Sequence, residues 1–188
     1  MNLKFLLDFV FPALCVHCRK NIVAKEVICA DCLGKIALKD ALLCGKCKAR
    51  LPLGKKICHK NFPYLLGAAT DYHQDVTNDL LHGFKFLYLR NAAEPLARML
   101  AQYAAKIPLA LEDFLVVPVP LGKKRLRQRG FNQSELIASR FAEIYNIPCL
   151  TDALARTKDT KPQSEIGDFQ KRSENIKNCF AVVRPEVF

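Results

Sequence analysis

The sequence predicts an α/β protein with a small cysteine-built module at its N-terminus, and three observations lead there. Seven of the nine cysteines lie between Cys15 and Cys58. From Phe62 onward the pattern lengthens into periodic elements, so residues 1–62 read as the module and 63–188 as a second domain. Within the latter, Phe114-Leu115-Val116-Val117 is a continuous apolar run, too short for a helix and suited to a parallel strand buried on both faces. With 188 residues, 51% of them hydrophobic, 8 Gly and 10 Pro, the composition is that of a globular chain. Disorder, collagen and coiled coil are excluded. The length allows one full core plus a module too small to make its own.

A membrane span needs about 20 consecutive apolar residues, and no such run exists. Met1 to Leu14 carries Asp8 and Pro12 and has no small-residue cleavage site, so it reads as a short amphipathic helix (Phe5, Leu6, Phe9, Val10) and not as a signal peptide. A cytoplasmic protein is expected.

Cys15-x2-Cys18, Cys29-x2-Cys32 and Cys44-x2-Cys47 are three successive pairs, followed by Cys58. A C-x2-C turn points two thiolates at one ion, and two such turns complete the tetrahedron that zinc prefers. Cys15, Cys18 and Cys29 are each repeated 29 residues later, as Cys44, Cys47 and Cys58, with Ile28 echoed by Ile57. Two ribbon-like units therefore lie in tandem. The register places the eighth ligand at Asn61, so the second site is altered. The first unit is expected to bind zinc through Cys15, Cys18, Cys29 and Cys32. For the second, Cys44, Cys47 and Cys58 are candidates with His59 or water, and an empty site and an interleaved pairing both stay open. A disulfide framework is the rival, disfavoured without a secretion signal. His17 reads as a knuckle residue, and Cys149 and Cys179 as core thiols.

Of the 29 basic residues, 12 fall in the first 62 positions, against 4 of the 18 acidic ones. Thiolates on zinc offset part of that excess, so it marks compensation of metal sites and a solvated face as readily as a nucleic-acid surface.

In the second domain Tyr64 to Tyr72 can form a strand. Val76, Leu80, Phe84 and Leu87 recur at helical spacing, as do Leu96, Met99, Leu100 and Tyr103, with Asn91 as a cap. His82 and Lys85 lie on the first of these helices, where a surface role explains them. After Pro118 and Pro120, Lys123, Lys124, Arg125, Arg127 and Arg129 crowd a presumed loop, and Gly130 permits a turn. Asn132-Gln133-Ser134-Glu135 reads as a capping box opening a helix, with a Phe131/Leu136 staple and a buried face of Ile137, Phe141 and Ile144. Strand, cationic loop and helix N-terminus outline a phosphate cradle. The candidate phosphate-binding residues are Arg125, Arg127, Arg129, Gly130 and Asn132.

Val117-Pro118-Val119-Pro120-Leu121, Lys124-Arg125-Leu126-Arg127 and Arg129-Gly130-Phe131-Asn132-Gln133-Ser134 resemble the ComF competence-protein family. So do the Leu-Asp-Phe-Val-Phe-Pro stretch before Cys15 and Phe180-Ala181-Val182. That resemblance spans essentially the whole chain. It implies a double zinc ribbon joined to a type I phosphoribosyltransferase-like parallel sheet. The Leu121 to Gly130 segment would face the pyrophosphate of phosphoribosyl pyrophosphate, accompanied by magnesium. A mobile lid would carry Arg156, Thr157, Gln163, Arg172 and Asn175. Glycosyl transfer would then proceed by leaving-group stabilisation and positioning.

The chain departs from that pattern in having neither an Asp-Asp pair nor a Thr-Gly loop for the ribose 5-phosphate; its one acidic pair, Glu112-Asp113, precedes a strand. The resemblance therefore implies a sheet incomplete at the C-terminus, a shortened chain, and no turnover by these 188 residues. No catalytic residue is assigned. Two functions are expected: a phosphoribosyltransferase-fold protein of DNA uptake, or a zinc-ribbon adaptor that binds single-stranded DNA or competence-machinery proteins without catalysis.

Overall fold

The computed structural model describes residues 12–51, 58–59, 64–107 and 109–187. All but the last three residues of the helix expected over Met1 to Leu14 lie outside them. The chain mixes helices and strands in two compact units, Met1–Leu111 and Glu112–Phe188.

The 29-residue repeat is visible in the backbone of the first unit. Leu14 bridges Asn21 as Leu43 bridges Arg50. Cys15 N–H donates to Lys20 O as Cys44 N–H does to Ala49 O, and Arg19 N–H returns to Cys15 O as Lys48 N–H returns to Cys44 O. Arg19 and Lys48 both take positive φ, 61° and 59°, because the chain must reverse within one knuckle. The second C-x2-C pair of the first repeat opens α1 (Ala30–Gly34), which starts after Cys29 and carries Cys32. The second opens on β1 (Leu43–Cys44), paired antiparallel with β2 (Leu65–Leu66) through Leu43↔Leu66 and Cys44↔Leu65. The strand expected over Tyr64 to Tyr72 is thus only two residues long.

Helices α2 (Asp75–Phe86) and α3 (Ala93–Ala104) follow. Val76, Leu80 and Phe84 of α2 are buried, as are Leu96, Met99 and Tyr103 of α3, in line with the apolar spacing, and each large side chain so buried contributes about 1.5–3 kcal/mol. Leu87 and Asn91 behave otherwise. Leu87 lies past the helix end and is exposed. Asn91 sits inside a 3-10 turn, Arg90–Ala92, and donates to Lys25 O at 3.0 Å instead of capping α3. That bond is one of several that seat the cysteine segment on the helices. Gln74 accepts from Ala37 N–H and donates to Ala37 O; Tyr103 donates to Ala41 O at 2.9 Å; His17 Nδ1 lies 2.8 Å from Asp79 Oδ2. The first knuckle also packs at Gly83, where a Cβ would press on Leu89 at 3.1 Å and reach Val16 at 3.4 Å.

In the second unit the apolar run pairs in parallel, but at a single bridge, Val116↔Cys149. Val116 N–H donates to Pro148 O, and Leu150 N–H to Val116 O. Phe114 is exposed, so the expected burial on both faces is not seen among the described residues. Pro118 and Pro120 can donate nothing to extend the ladder. The cationic segment is α4 (Lys123–Arg129) and not a loop. Lys, Arg, Leu and Gln are all good helix formers, and Gly130 at φ 71° ends the helix with its N–H on Leu126 O. Helix α5 (Gln133–Tyr145) then starts at Asn132, whose side chain accepts from Ser134 N–H. It buries Gln133, Ala138 and Ala142, while Ile144 of the expected apolar face is exposed; the small alanines permit the close approach and displace the larger side chains to its flank. Strands β3 (Leu154–Arg156) and β4 (Phe180–Val182) pair antiparallel in register Ala155↔Ala181. Between them the chain makes a 3-10 turn, Gln163–Glu165, and helix α6 (Phe169–Ile176), capped by Asp168. The described residues show this antiparallel pair and one parallel bridge in the second unit, and no continuous parallel sheet.

Asn132 both caps α5 and ties it to the segment that follows the apolar run, through Nδ2 on Val119 O, 3.2 Å. Asn132→Ala should destabilise the second unit by about 1–2 kcal/mol, read as a lower denaturation midpoint; an unchanged midpoint would contradict this role.

Candidate metal centres and a cation-lined cleft

Two clusters in the first unit gather metal-ligating atoms within 4.8 Å of one another: Cys15, Cys18, Cys29 and Cys32, and Cys44, Cys47, Cys58 and His59. Ligands therefore group within each repeat and do not interleave. Asn61, the register position of the eighth ligand, lies outside the described residues. His59 joins the second cluster with Nδ1 3.4 Å from Cys44 Sγ, so neighbouring residues 58 and 59 serve one group.

The donor chemistry fits a tetrahedral thiophilic ion. A tetrahedron of zinc–sulfur bonds of about 2.3 Å has edges of roughly 3.8 Å, and Cys18–Cys29 and Cys47–Cys58 are 3.7 and 3.8 Å apart. A disulfide would need about 2.05 Å; all nine cysteines are free.

The protonation pattern points the same way. Burial raises the Cys15 pKa, but the N–H groups of Cys29, Cys18 and His17 outweigh it and bring the thiol down to about 6. Cys44 also falls to about 6, chiefly because Cys47 N–H faces its sulfur. Their neighbours move oppositely: Cys32 is pushed up to about 12 by burial and the surrounding thiols, and Cys58 is raised mainly by Cys47. Two thiolates about 4 Å apart repel by roughly 4 kcal/mol at an intermediate dielectric, so a cluster can ionise fully only around a cation. His17 stays outside both groups, held by Asp79. Cys179 is buried and Cys149 half-buried, its pKa raised by burial.

The second unit has a cleft of about 580 Å³ lined by Gly122, Lys124, Arg125, Gln128, Arg156, Asp159, Thr160, Lys161, Pro162 and Glu165. Helix α4 supplies one wall and the segment after β3 the other. Arg125 donates to Thr160 O at 3.3 Å, and Arg156 to Thr160 Oγ1 and Lys158 O, so both guanidinium groups hold the same strap. The Arg156 guanidinium also lies 5.3 Å from the centre of the Phe180 ring. Gly122 lies directly against the Asp159 carboxylate, which would have to turn aside for a Cβ there.

Sequence candidates divide accordingly. Arg125 and Arg156 line the cleft; Arg127 is exposed outside it. Arg129 donates to Gln133 Oε1 at 3.1 Å, Gly130 is the helix terminator, and both side-chain termini of Asn132 are engaged in the fold. The remaining residues of the expected lid hold its backbone: Thr157 on Asn178 O, Gln163 on Arg172 O, Arg172 on Ile166 O, Asn175 on Lys161 O. Sequence reasoning missed Thr160 and Lys161; their signal was the short polar run from Thr157 to Pro162.

No protein-family model matches the chain, and no solved structure matches it. Curated proteins do. "DNA utilization protein YhgH" of Escherichia coli O6:H1 is 30% identical over 185 residues, covering 93% of this chain and 79% of its own length. The chain belongs to the ComF family. "Competence protein F" of Haemophilus influenzae is 28% identical over 189 residues, 92% of this chain and 77% of that protein. The Salmonella typhimurium YhgH protein is 27% identical over 176 residues, 92% and 72% of the respective chains. The likeness to these ComF-family proteins thus runs through both the cysteine clusters and the cleft. No helix among the described residues is long and apolar enough to cross a membrane.

The two clusters differ in exposure: Cys15 and Cys32 are buried in the first, whereas Cys47 and Cys58 are exposed in the second. Cys18→Ser should lose metal and unfold the first unit, since structural zinc supplies on the order of 10 kcal/mol. Cys47→Ser should lose one metal equivalent with a smaller fall in melting temperature. Metal analysis and circular dichroism read both; folded, metal-free wild-type protein would contradict the assignment.

Proposed function

We propose that this chain acts in natural competence, in the uptake or processing of transforming DNA, and that its second unit binds the pyrophosphate end of phosphoribosyl pyrophosphate. The observation that carries the ligand assignment is the convergence of Lys124 and Arg125 of α4 with Arg156 and Lys161 in one cleft, although some thirty residues of sequence separate the two pairs. Four cations facing two carboxylates favour a polyanion, and guanidinium groups offer it charge-assisted hydrogen bonds. The DNA role is supported by what the relatives are called, competence and DNA utilization proteins.

In this reading residues 1–62 form a double zinc-ribbon module, with one zinc held by four cysteines and a second by three cysteines and His59. Residues 63–188 form a phosphoribosyltransferase-like domain of a cytoplasmic protein. Arg125 and Arg156 would hold a pyrophosphate leaving group while Thr160 positions their forks. The strap from Arg156 to Asn175, tied by side chains to its own carbonyls, would exclude water from the bound anion. Among the described residues the cleft contains no cluster of carboxylates able to bind magnesium by itself; the ion would enter with the donor, and no step here is routed through it. The rival reading, a non-catalytic adaptor, requires no pyrophosphate affinity.

Arg125→Ala should weaken pyrophosphate binding by about 1.5–3 kcal/mol, roughly ten- to a hundredfold, in calorimetry at low salt. Arg127→Ala, outside the cleft, should change it much less. Equal affinity of wild type and Arg125→Ala would refute the assignment of the cleft.

A further inference from the structure

The two repeats gather the same kind of four-ligand group but shield it differently, and the residues between the cysteines explain why. In the first knuckle Val16 and His17 both dock on α2: Val16 lies beside Gly83, and His17 Nδ1 is 2.8 Å from Asp79 Oδ2. The positions 29 residues later are Gly45 and Lys46. Gly45 has no side chain to dock, and Lys46 is exposed. In the first cluster Cys15 and Cys32 are buried and Cys18 and Cys29 half-buried, whereas in the second only Cys44 is buried and both Cys47 and Cys58 are exposed.

The exposed sulfurs are 3.8 Å apart, so closing them to the about 2.05 Å of a disulfide takes a movement of under about 2 Å. Cys18 and Cys29 are as close, at 3.7 Å; access is what separates the two pairs. A metal ligand is held as thiolate, and solvent-accessible thiolates with cationic neighbours are the ones that oxidants attack. Lys46 and Lys48 flank Cys47 in the chain.

We propose that Cys47 and Cys58 are an oxidation site: hydrogen peroxide joins them in a disulfide that dismantles the second metal centre and leaves the first intact. This rests on the reading that the second cluster holds zinc. The Cys47 thiolate attacks a peroxide oxygen, the O–O bond breaks and, with one proton taken up, sulfenic acid and water result. The Cys58 thiolate then attacks that sulfur; the S–S bond forms, the S–O bond breaks, and the departing hydroxide takes a second proton. Two thiolates, one peroxide and two protons thus give one disulfide and two waters, the two electrons lost by sulfur having reduced the peroxide. Cys44 and His59 remain, two ligands where zinc takes four.

The test uses the intact, reduced chain, its zinc content measured before hydrogen peroxide is added beside a chromophoric zinc chelator. One equivalent should be released at least about tenfold faster than the other, peptide mass mapping should find Cys47 linked to Cys58, and dithiothreitol with added zinc should restore both equivalents. Equal loss from both centres, no loss, or a Cys18–Cys29 linkage would overturn the proposal. So would release at the same rate without peroxide, which would mark a weak site and not an oxidised one. An untreated chain holding no more than one zinc would overturn the reading of the second centre as well, whereas two equivalents without selective release would overturn the proposal alone.

Discussion

Each cysteine cluster confines its ligand atoms within 4.8 Å, and mutual repulsion prevents the thiols from ionising together without a cation. Everything in the first unit follows from satisfying that constraint. The knuckles are too short to make a core, so they are fixed on one side by their ligands and on the other by α2 and α3. His17, Lys25, Ala37 and Ala41 lie in or just beyond the knuckles, and each is bonded to a residue of those helices or of the turns that lead into them. An ion held by these clusters would therefore be coupled to the helices through these contacts.

The second unit solves a different problem. Arginine and lysine side chains crowd α4, and their repulsion is relieved by sharing them out: Arg129 to Gln133, Arg125 to the strap at Thr160. Arg156, at the start of that strap, donates to Thr160 Oγ1 as well. The cleft therefore has cations already oriented by backbone and hydroxyl partners, a pre-organisation that lowers the cost of ordering them around an anion.

The cysteine spacing was legible because a knuckle is local: the 29-residue register reappears in the hydrogen bonds of both repeats and in the positive φ of Arg19 and Lys48. Helices α2 and α3 were legible from apolar period, and Asn132 from capping chemistry. What failed was non-local, with one exception. The charge run reads as a loop although its Lys, Arg, Leu and Gln favour a helix, which Gly130 ends; that miss is local. The fourth ligand of the second cluster could not be chosen from spacing, because His59 breaks the register. Asn91 looked like a cap in one dimension and proved to be a tether to Lys25 in three. The cleft itself could not be read from sequence, since Thr160 and Lys161 meet Arg125 only through the fold.

Hydrogen exchange on the intact chain, before and after removal of metal by a chelator, tests the dependence of the first unit on its clusters most directly. Metal removal should abolish protection of the amides of α2 and α3 while those of α5 in the second unit keep theirs. Unchanged protection across Asp75–Phe86 in metal-free protein would contradict it.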